Sequence, residues 1–313
     1  MANVRRAVID VGTNSVKLLV AEVSPEGLQP VHEESRQTRL GQGFYETHRL
    51  QPEAIRQTAA AVEHFARLAR EQGVTAIRVI ATSAARDALN PADLTTAILH
   101  AAGLRTEIIS GETEAEWAFQ GVAACTDLAE KPLLLIDAGG GSTEFILGHR
   151  AHKSFARSFP LGTVRLMEKF PVSDPPTSAE LADCAGWLRE FLHAEVRPNL
   201  QAPLAAEQRE GVVQLVGTGG TATLLARMEQ GLDHFDRDLI ERTVLTHERV
   251  AAVRELLWRL PLAERARVPG LPAARADVIL TGVLILEAVM VEFGFREMRV
   301  STRGLRFAAV LTA

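Results

Sequence analysis

One pattern occurs twice in this 313-residue chain, and it limits the possible folds more than any other feature. Ala7-Val-Ile-Asp10-Val-Gly12-Thr13-Asn14-Ser15-Val-Lys17 lies over Leu134-Leu-Ile-Asp137-Ala-Gly139-Gly140-Gly141-Ser142-Thr143-Glu144 at a constant offset of 127 residues. In each copy an apolar strand ends in Asp, a Gly/Asn/Ser loop follows and a second apolar strand begins, which is the signature of a β-hairpin. Self-similarity at about one domain length predicts two related domains. Length favours the same reading, because a single hydrophobic core seldom grows beyond ~250–300 residues. The boundary is placed in the segment before the second hairpin, giving residues 1–122 and 123–313, with the terminal helix over 304–313 packing back on the first domain.

Between the hairpins the pattern alternates. Ile55, Ala59, Val62, Phe65, Leu68 and Ala69 recur at helical spacing from Gln51 to Gly73, and a strand over Ile77–Ala81 follows, as in an α/β layer. A helix is predicted from Ser110 to about Val122. A second is capped by Thr177 or Ser178 and runs to about Val196. Val212–Val216 reads as a strand, and Gly217-Thr218-Gly219-Gly220-Thr221 opens another helix. The last elements are a buried helix from Asp277, a strand over Met298–Val300 and a helix from about Leu305.

Composition excludes several classes. Hydrophobic residues make up 47% and charged residues 23%, so there is core material and no room for a long disordered arm. A net charge of −5 argues against a nucleic-acid partner, because non-specific binding of that kind needs a basic surface. The N-terminus lacks a signal-peptide h-region. The longest apolar run, Val278–Val291, is broken by Thr281, Gly282 and Glu287 and is short for a membrane span. A cytoplasmic protein with no membrane partner is expected. Cys125 and Cys184 are read as reduced thiols.

The hairpin loops suit an anion beside a metal. Successive N–H groups form a concave nest, glycine permits close approach, and Ser or Thr hydroxyls complete the contacts. A lone Asp-x-Gly loop is most often a plain tight turn. Two copies one domain apart, together with a third glycine loop at a helix start, outweigh that reading. Thr13, Asn14, Ser15, Gly139, Gly140, Gly141, Ser142, Thr143, Gly217, Thr218, Gly219 and Gly220 are therefore candidate phosphate contacts. Asp10 and Asp137 can share Mg2+, which keeps part of its water shell and binds through a few carboxylates plus phosphate oxygens. The hairpins diverge at one aligned position: Lys17 would neutralise phosphate oxygens, and Glu144 would hold the metal or its waters. Arg86, in Ala81-Thr-Ser-Ala-Ala-Arg86, is a further candidate phosphate ligand. On the helix after Ser110, Glu112 and Glu116 share one face, while Glu114 falls with Trp117, Ala118 and Gly121 on the apolar side. A partly desolvated carboxylate is a good proton acceptor, which makes Glu114 the candidate general base.

Taken in order, Asp10 to Lys17, Ala81 to Arg86, Ile109-Ser-Gly-Glu-Thr-Glu-Ala115, Ile136 to Glu144, Phe159-Pro-Leu-Gly-Thr-Val-Arg165, Val216 to Thr221 and Val300-Ser-Thr-Arg-Gly-Leu-Arg306 resemble the exopolyphosphatase and guanosine pentaphosphate phosphohydrolase family. The resemblance covers nearly the whole chain. It implies an α/β fold of two RNase H-like domains, of the actin, hexokinase and Hsp70 kind, flanking an interdomain cleft. It implies Glu114 as the base that activates water, Asp137 and Glu144 around magnesium with Asp10 completing the cluster, and a homodimer. The substrate it implies is inorganic polyphosphate or guanosine pentaphosphate. Two positions depart from the family pattern: Lys17 stands where Arg is usual, and Phe307 follows Arg306 where Glu is frequent. Longer relatives carry a further helical domain of HD type that this sequence does not show, which argues against processive handling of long chains. Two rival readings are an ATP-dependent small-molecule kinase with Gly217–Thr221 on adenosine, and a non-catalytic sensor of guanosine polyphosphates.

Overall fold

The computed structural model describes residues 4–25, 27–125, 128, 130–150 and 152–313. The chain divides into two compact units, one of residues 1–121 and 304–313 and the other of residues 122–303. The first unit holds a five-stranded sheet of β1 (Val4–Val11), β2 (Ser15–Ser24), β3 (Gly27–Gln37), β4 (Ala76–Ala81) and β5 (Thr106–Ile108). Its order is β3-β2-β1-β4-β5. The first three strands are antiparallel neighbours, whereas β4 and β5 run parallel to β1.

The second unit repeats this plan. Its strands are β6 (Leu133–Ala138), β7 (Thr143–His149), β8 (His152–Phe159), β9 (Gln214–Thr218), β10 (Val244–Thr246) and β11 (Glu297–Val300). Read from β8, the order is β8-β7-β6-β9-β11, which matches the first sheet strand for strand, with β10 added antiparallel at the far edge. Both units are RNase H-like α/β layers.

Each sheet has one face in a large core. Ala7, Ile9, Val11, Val16, Leu18 and Val20 pack against the helices Pro52–Glu71 and Pro91–Ala102. Leu134, Ile136, Ala138, Phe145 and Leu147 belong to the core of the second unit, which also takes in the helix Ile279–Phe293. That helix accounts for the longest apolar run. Among the described residues no helix is long and apolar enough to cross a membrane. Cys184 lies buried in the same core, where burial pushes its thiol up to about 12, and both cysteines are free thiols.

Register fixes what occupies the opposite face of the first sheet, because residues paired across strands point the same way. Val8, Asp10, Lys17 and Leu19 share it. Arg78, paired with Val8, has its guanidinium 4.7 Å from the ring centre of Trp117, on the helix Gly111–Ala123. Glu33, paired with Leu19, holds Arg306 of the helix Leu305–Ala309 at 3.3 Å. These two helices therefore cover the face that carries Asp10.

The predicted elements appear with shifted ends. Thr177 caps the helix Ser178–Phe191 in a full capping box with Glu180, and a π-helical turn over Leu192–Val196 leads into a further helix, Arg197–Glu210. The strand expected over Val212–Val216 extends to Thr218.

The hairpin loops rest on the segments that follow β3 and β8. Gly41 N–H donates to Thr13 O at 2.8 Å, and the Thr38 and Arg39 N–H groups donate to Asn14 O. In the second unit Thr163 donates to Gly139 O, while Val164 and Arg165 donate to Gly140 O. Both supports approach closely: a side chain at Gly41 would strike that of Thr13, and one at Gly162 would strike the backbone of Gly140 and Gly141. Gly162→Ala should destabilise the protein by about 1–3 kcal/mol, the usual cost of overpacking. Gly186→Ala, in a helix with open space around it, should stabilise by ~0.5–1 kcal/mol. Denaturant titration of the two variants checks both signs, and a neutral Gly162→Ala would mean the loop does not depend on this support.

Candidate active site

The two hairpins share strand register and one turn hydrogen bond at their necks. Asp10 pairs with Lys17 and Val11 with Val16; Asp137 pairs with Glu144 and Ala138 with Thr143. Gly12 N–H donates to Ser15 O at 3.0 Å, and Gly139 N–H donates to Ser142 O at 2.9 Å. Thr13-Asn14 and Gly140-Gly141 are the tips. Their carbonyls are tied back as described above, and Gly141 O accepts from Arg165 Nε at 2.9 Å. Among the described residues the N–H groups of Thr13, Asn14, Gly140 and Gly141 donate to no protein acceptor. A tip with its acceptors satisfied and its donors open suits an anion.

In the first unit Asp10, Asn14 and Ser15 are buried. Asp10 Oδ1 and Asn14 Nδ2 have no hydrogen-bond partner among the described residues, one an acceptor and the other a donor. Glu114, on the covered face, is 7% exposed, whereas Glu112 is exposed, as helical spacing predicts. Arg86 donates from NH1 to Glu114 Oε2 at 2.9 Å and to Ile109 O at 3.2 Å. The guanidinium therefore serves the candidate base, and its Nε also faces Asp87 Oδ1 at 3.8 Å. A buried carboxylate needs such a partner to offset its desolvation.

In the second unit Asp137 and Glu144 share one face of the sheet. Glu144 is buried, and its Oε1 accepts from Ser142 Oγ at 2.8 Å and Ser158 Oγ at 2.7 Å. Gly219, at φ +79°, lies so close to Asp137 that a side chain there would strike the carboxylate. Arg275 NH2 lies 3.0 Å from where a Cβ of Gly220 would stand.

Several expected phosphate contacts have other employment. The Thr143 hydroxyl donates to Leu161 O, that of Ser142 to Glu144, and that of Thr218 to the carbonyls of Ser301 and Arg303. These hydroxyls hold the protein to itself. Gly217 is small for a different reason: it faces the core, where a Cβ would meet Met298.

Three contributors escaped sequence reasoning. Arg275 has no distinguishing local pattern. The two supports share a Leu-Gly pair, Leu40-Gly41 and Leu161-Gly162, but their offset is 121 rather than 127 residues. β2 and β3 run 10 and 11 residues against 7 and 8 for β7 and β8, six more in all, so a search at constant offset misses the pair. Arg39, with φ 50°, adopts a left-handed backbone that no sequence pattern announces.

Among the described residues no three His, Cys, Asp or Glu side chains form a closed metal cage. Magnesium does not require one, since one or two carboxylates, waters and phosphate oxygens suffice. The open Oδ1 of Asp10 suits that role, and Asp137 and Glu144 offer carboxylates in the second unit.

The family model described as the Ppx/GppA phosphatase family matches residues 19–311. Exopolyphosphatase 2 of Mycobacterium tuberculosis is 36% identical over 297 residues, which cover 92% of this chain and 90% of that protein. The solved Aquifex aeolicus PPX-GPPA enzyme is 30% identical, covers 100% of both chains and superposes with a TM-score of 0.78. An exopolyphosphatase from Cytophaga hutchinsonii is 25% identical with a TM-score of 0.85, covering 98% of this chain and 97% of that one.

Burial pushes the Asp10 carboxyl above its ordinary 3.8, while the Lys17 and Arg306 charges oppose the shift. The folded protein then holds this proton more tightly than the unfolded chain does. The associated stability is full below 3.8 and is lost as the pH rises through the folded value. Asp10→Asn removes that loss. Without metal, its Tm should exceed that of the parent chain at about pH 7, and the gap should close in acid. Calorimetry across pH checks this; equal Tm values at neutral pH would contradict it.

Proposed function

The chain belongs to the Ppx/GppA phosphatase family, and from that membership and the two hairpin loops we propose that it is an exopolyphosphatase that hydrolyses the terminal phosphoanhydride of inorganic polyphosphate with magnesium. The observation that carries the proposal is the duplicated tip, with its carbonyls tied back, its N–H groups open and an aspartate at the end of the preceding strand.

The tip N–H groups and Lys17 bind oxygens of the terminal phosphoryl group. Asp10, Asp137 and Glu144 are the residues that would hold magnesium, which when bound neutralises charge on that group. Arg86 keeps Glu114 oriented through the bond to Oε2. Glu114 takes a proton from the attacking water as the new P–O bond forms. The bridging P–O bond breaks, and its electron pair leaves on the oxygen of the shortened chain. Phosphoryl transfer of this kind depends on positioning and electrostatics more than on covalent help from the protein. Guanosine pentaphosphate carries a terminal group of the same kind, so the same chemistry extends to it.

Phosphate release from each substrate, with and without magnesium, tests the reading. Magnesium-dependent release from polyphosphate is expected. Nucleotide formation or glucose phosphorylation in its place would point to a kinase, and binding without release to a sensor. Glu114→Gln should lower kcat by about 100-fold or more with a smaller effect on binding, the range for a positioned general base. Near-normal turnover by that variant would remove Glu114 from the role.

A further inference from the structure

Thr218 ends β9, pairs with Asp137 across the ladder and is wholly buried. It is the N-cap residue of the 12-residue helix Gly219–Gln230, a place where threonine usually caps its own helix, yet its side chain makes no cap bond. The hydroxyl turns instead to the loop after β11, with Oγ1 3.0 Å from both Ser301 O and Arg303 O.

That loop is itself firmly held. Ser301 N–H donates to Gly217 O at 2.9 Å, and Arg303 N–H donates to Ser301 Oγ at 3.2 Å. Thr302 gives both its N–H and its hydroxyl to Glu241 Oε1. Arg237 donates to the Thr302 hydroxyl and pairs with Glu241 at 3.7 Å. Next to Thr218, Gly219 stands so close to the Asp137 carboxylate that a Cβ there would strike Oδ1.

We propose that Thr218 is a positioning residue: its hydroxyl ties the start of the 219–230 helix to the 301–303 loop and so holds Gly219 against the Asp137 carboxylate, limiting where that carboxylate can turn, with Glu241 anchoring the loop. The inference rests on the reading of Asp137 as a magnesium-side carboxylate. Groups that orient a metal ligand shift metal affinity more than they shift affinity for the rest of the substrate. Loss of the hydroxyl also removes its shared hydrogen bond to the Ser301 and Arg303 carbonyls, which lets the loop and the helix start drift apart.

The test uses the full chain with Thr218→Val, Thr218→Ser and Glu241→Ala. Two quantities are read: the magnesium concentration for half-maximal phosphate release from inorganic polyphosphate, and the rise in Tm that magnesium produces. Thr218→Val should raise half-saturation about tenfold, in the range typical for groups that support a metal ligand. The polyphosphate KM should stay near that of the parent chain, and the magnesium-induced rise in Tm should shrink. Thr218→Ser should restore both, and Glu241→Ala should move both in the direction of the valine variant by a smaller factor. Parent-like behaviour of Thr218→Val, or a serine variant as impaired as the valine one, overturns the proposal. Where Thr218→Val does not fold, parent-like magnesium dependence of Glu241→Ala overturns it. Absence of phosphate release from the parent chain would sink the exopolyphosphatase reading, while the Tm measurement would still decide the role of Thr218.

Discussion

The site depends on how each hairpin disposes of its backbone polar groups. A tight loop between two buried strands has carbonyls that must find donors and N–H groups that must find acceptors. Here the segment after the third strand supplies the donors, through Gly41, Thr38 and Arg39 in one unit and Thr163, Val164 and Arg165 in the other. With the carbonyls satisfied, the N–H groups at the tips remain for an external anion. The aspartate one step back on the strand is placed by the antiparallel ladder, which pairs Asp10 with Lys17 and Asp137 with Glu144. The duplicated sequence thus encodes a duplicated hydrogen-bonding economy, and the chemistry follows from what it leaves open.

The two copies share strand register and the Gly-to-Ser turn bond and differ in charge. The first unit sets a lysine beside its aspartate and leaves Asp10 Oδ1 buried with no hydrogen-bond partner among the described residues, a state that costs stability. The second sets a glutamate there and steadies it with the hydroxyls of Ser142 and Ser158. Glu114 is steadied in turn by Arg86.

Much of the architecture was legible because the Asp-Gly hairpins repeat and because the helix Pro52–Glu71 and the strand Ala76–Ala81 carry clear periodicity. The edge strands were not. Gly27–Gln37 and His152–Phe159 are polar and half exposed, so neither alternates cleanly enough to declare itself. At the site, the burial of Glu114 followed from helical spacing alone. The employment of the Thr143, Ser142 and Thr218 hydroxyls did not, because their acceptors lie 18, 2 and 83–85 residues away and no local rule selects among them. Arg275 comes beside Gly220 from 55 residues along the chain, a distance no local pattern spans.

The central claim is that each hairpin tip is an anion site in its own unit, its open backbone N–H groups donating to phosphate oxygens. Hydrogen exchange resolved to single amides, with magnesium and a non-hydrolysable imido analogue of polyphosphate, tests it most directly. The account predicts that Thr13 and Asn14 slow together with Gly140 and Gly141 when the analogue binds. Slowing in one loop alone, or in neither while the analogue is bound, would contradict it.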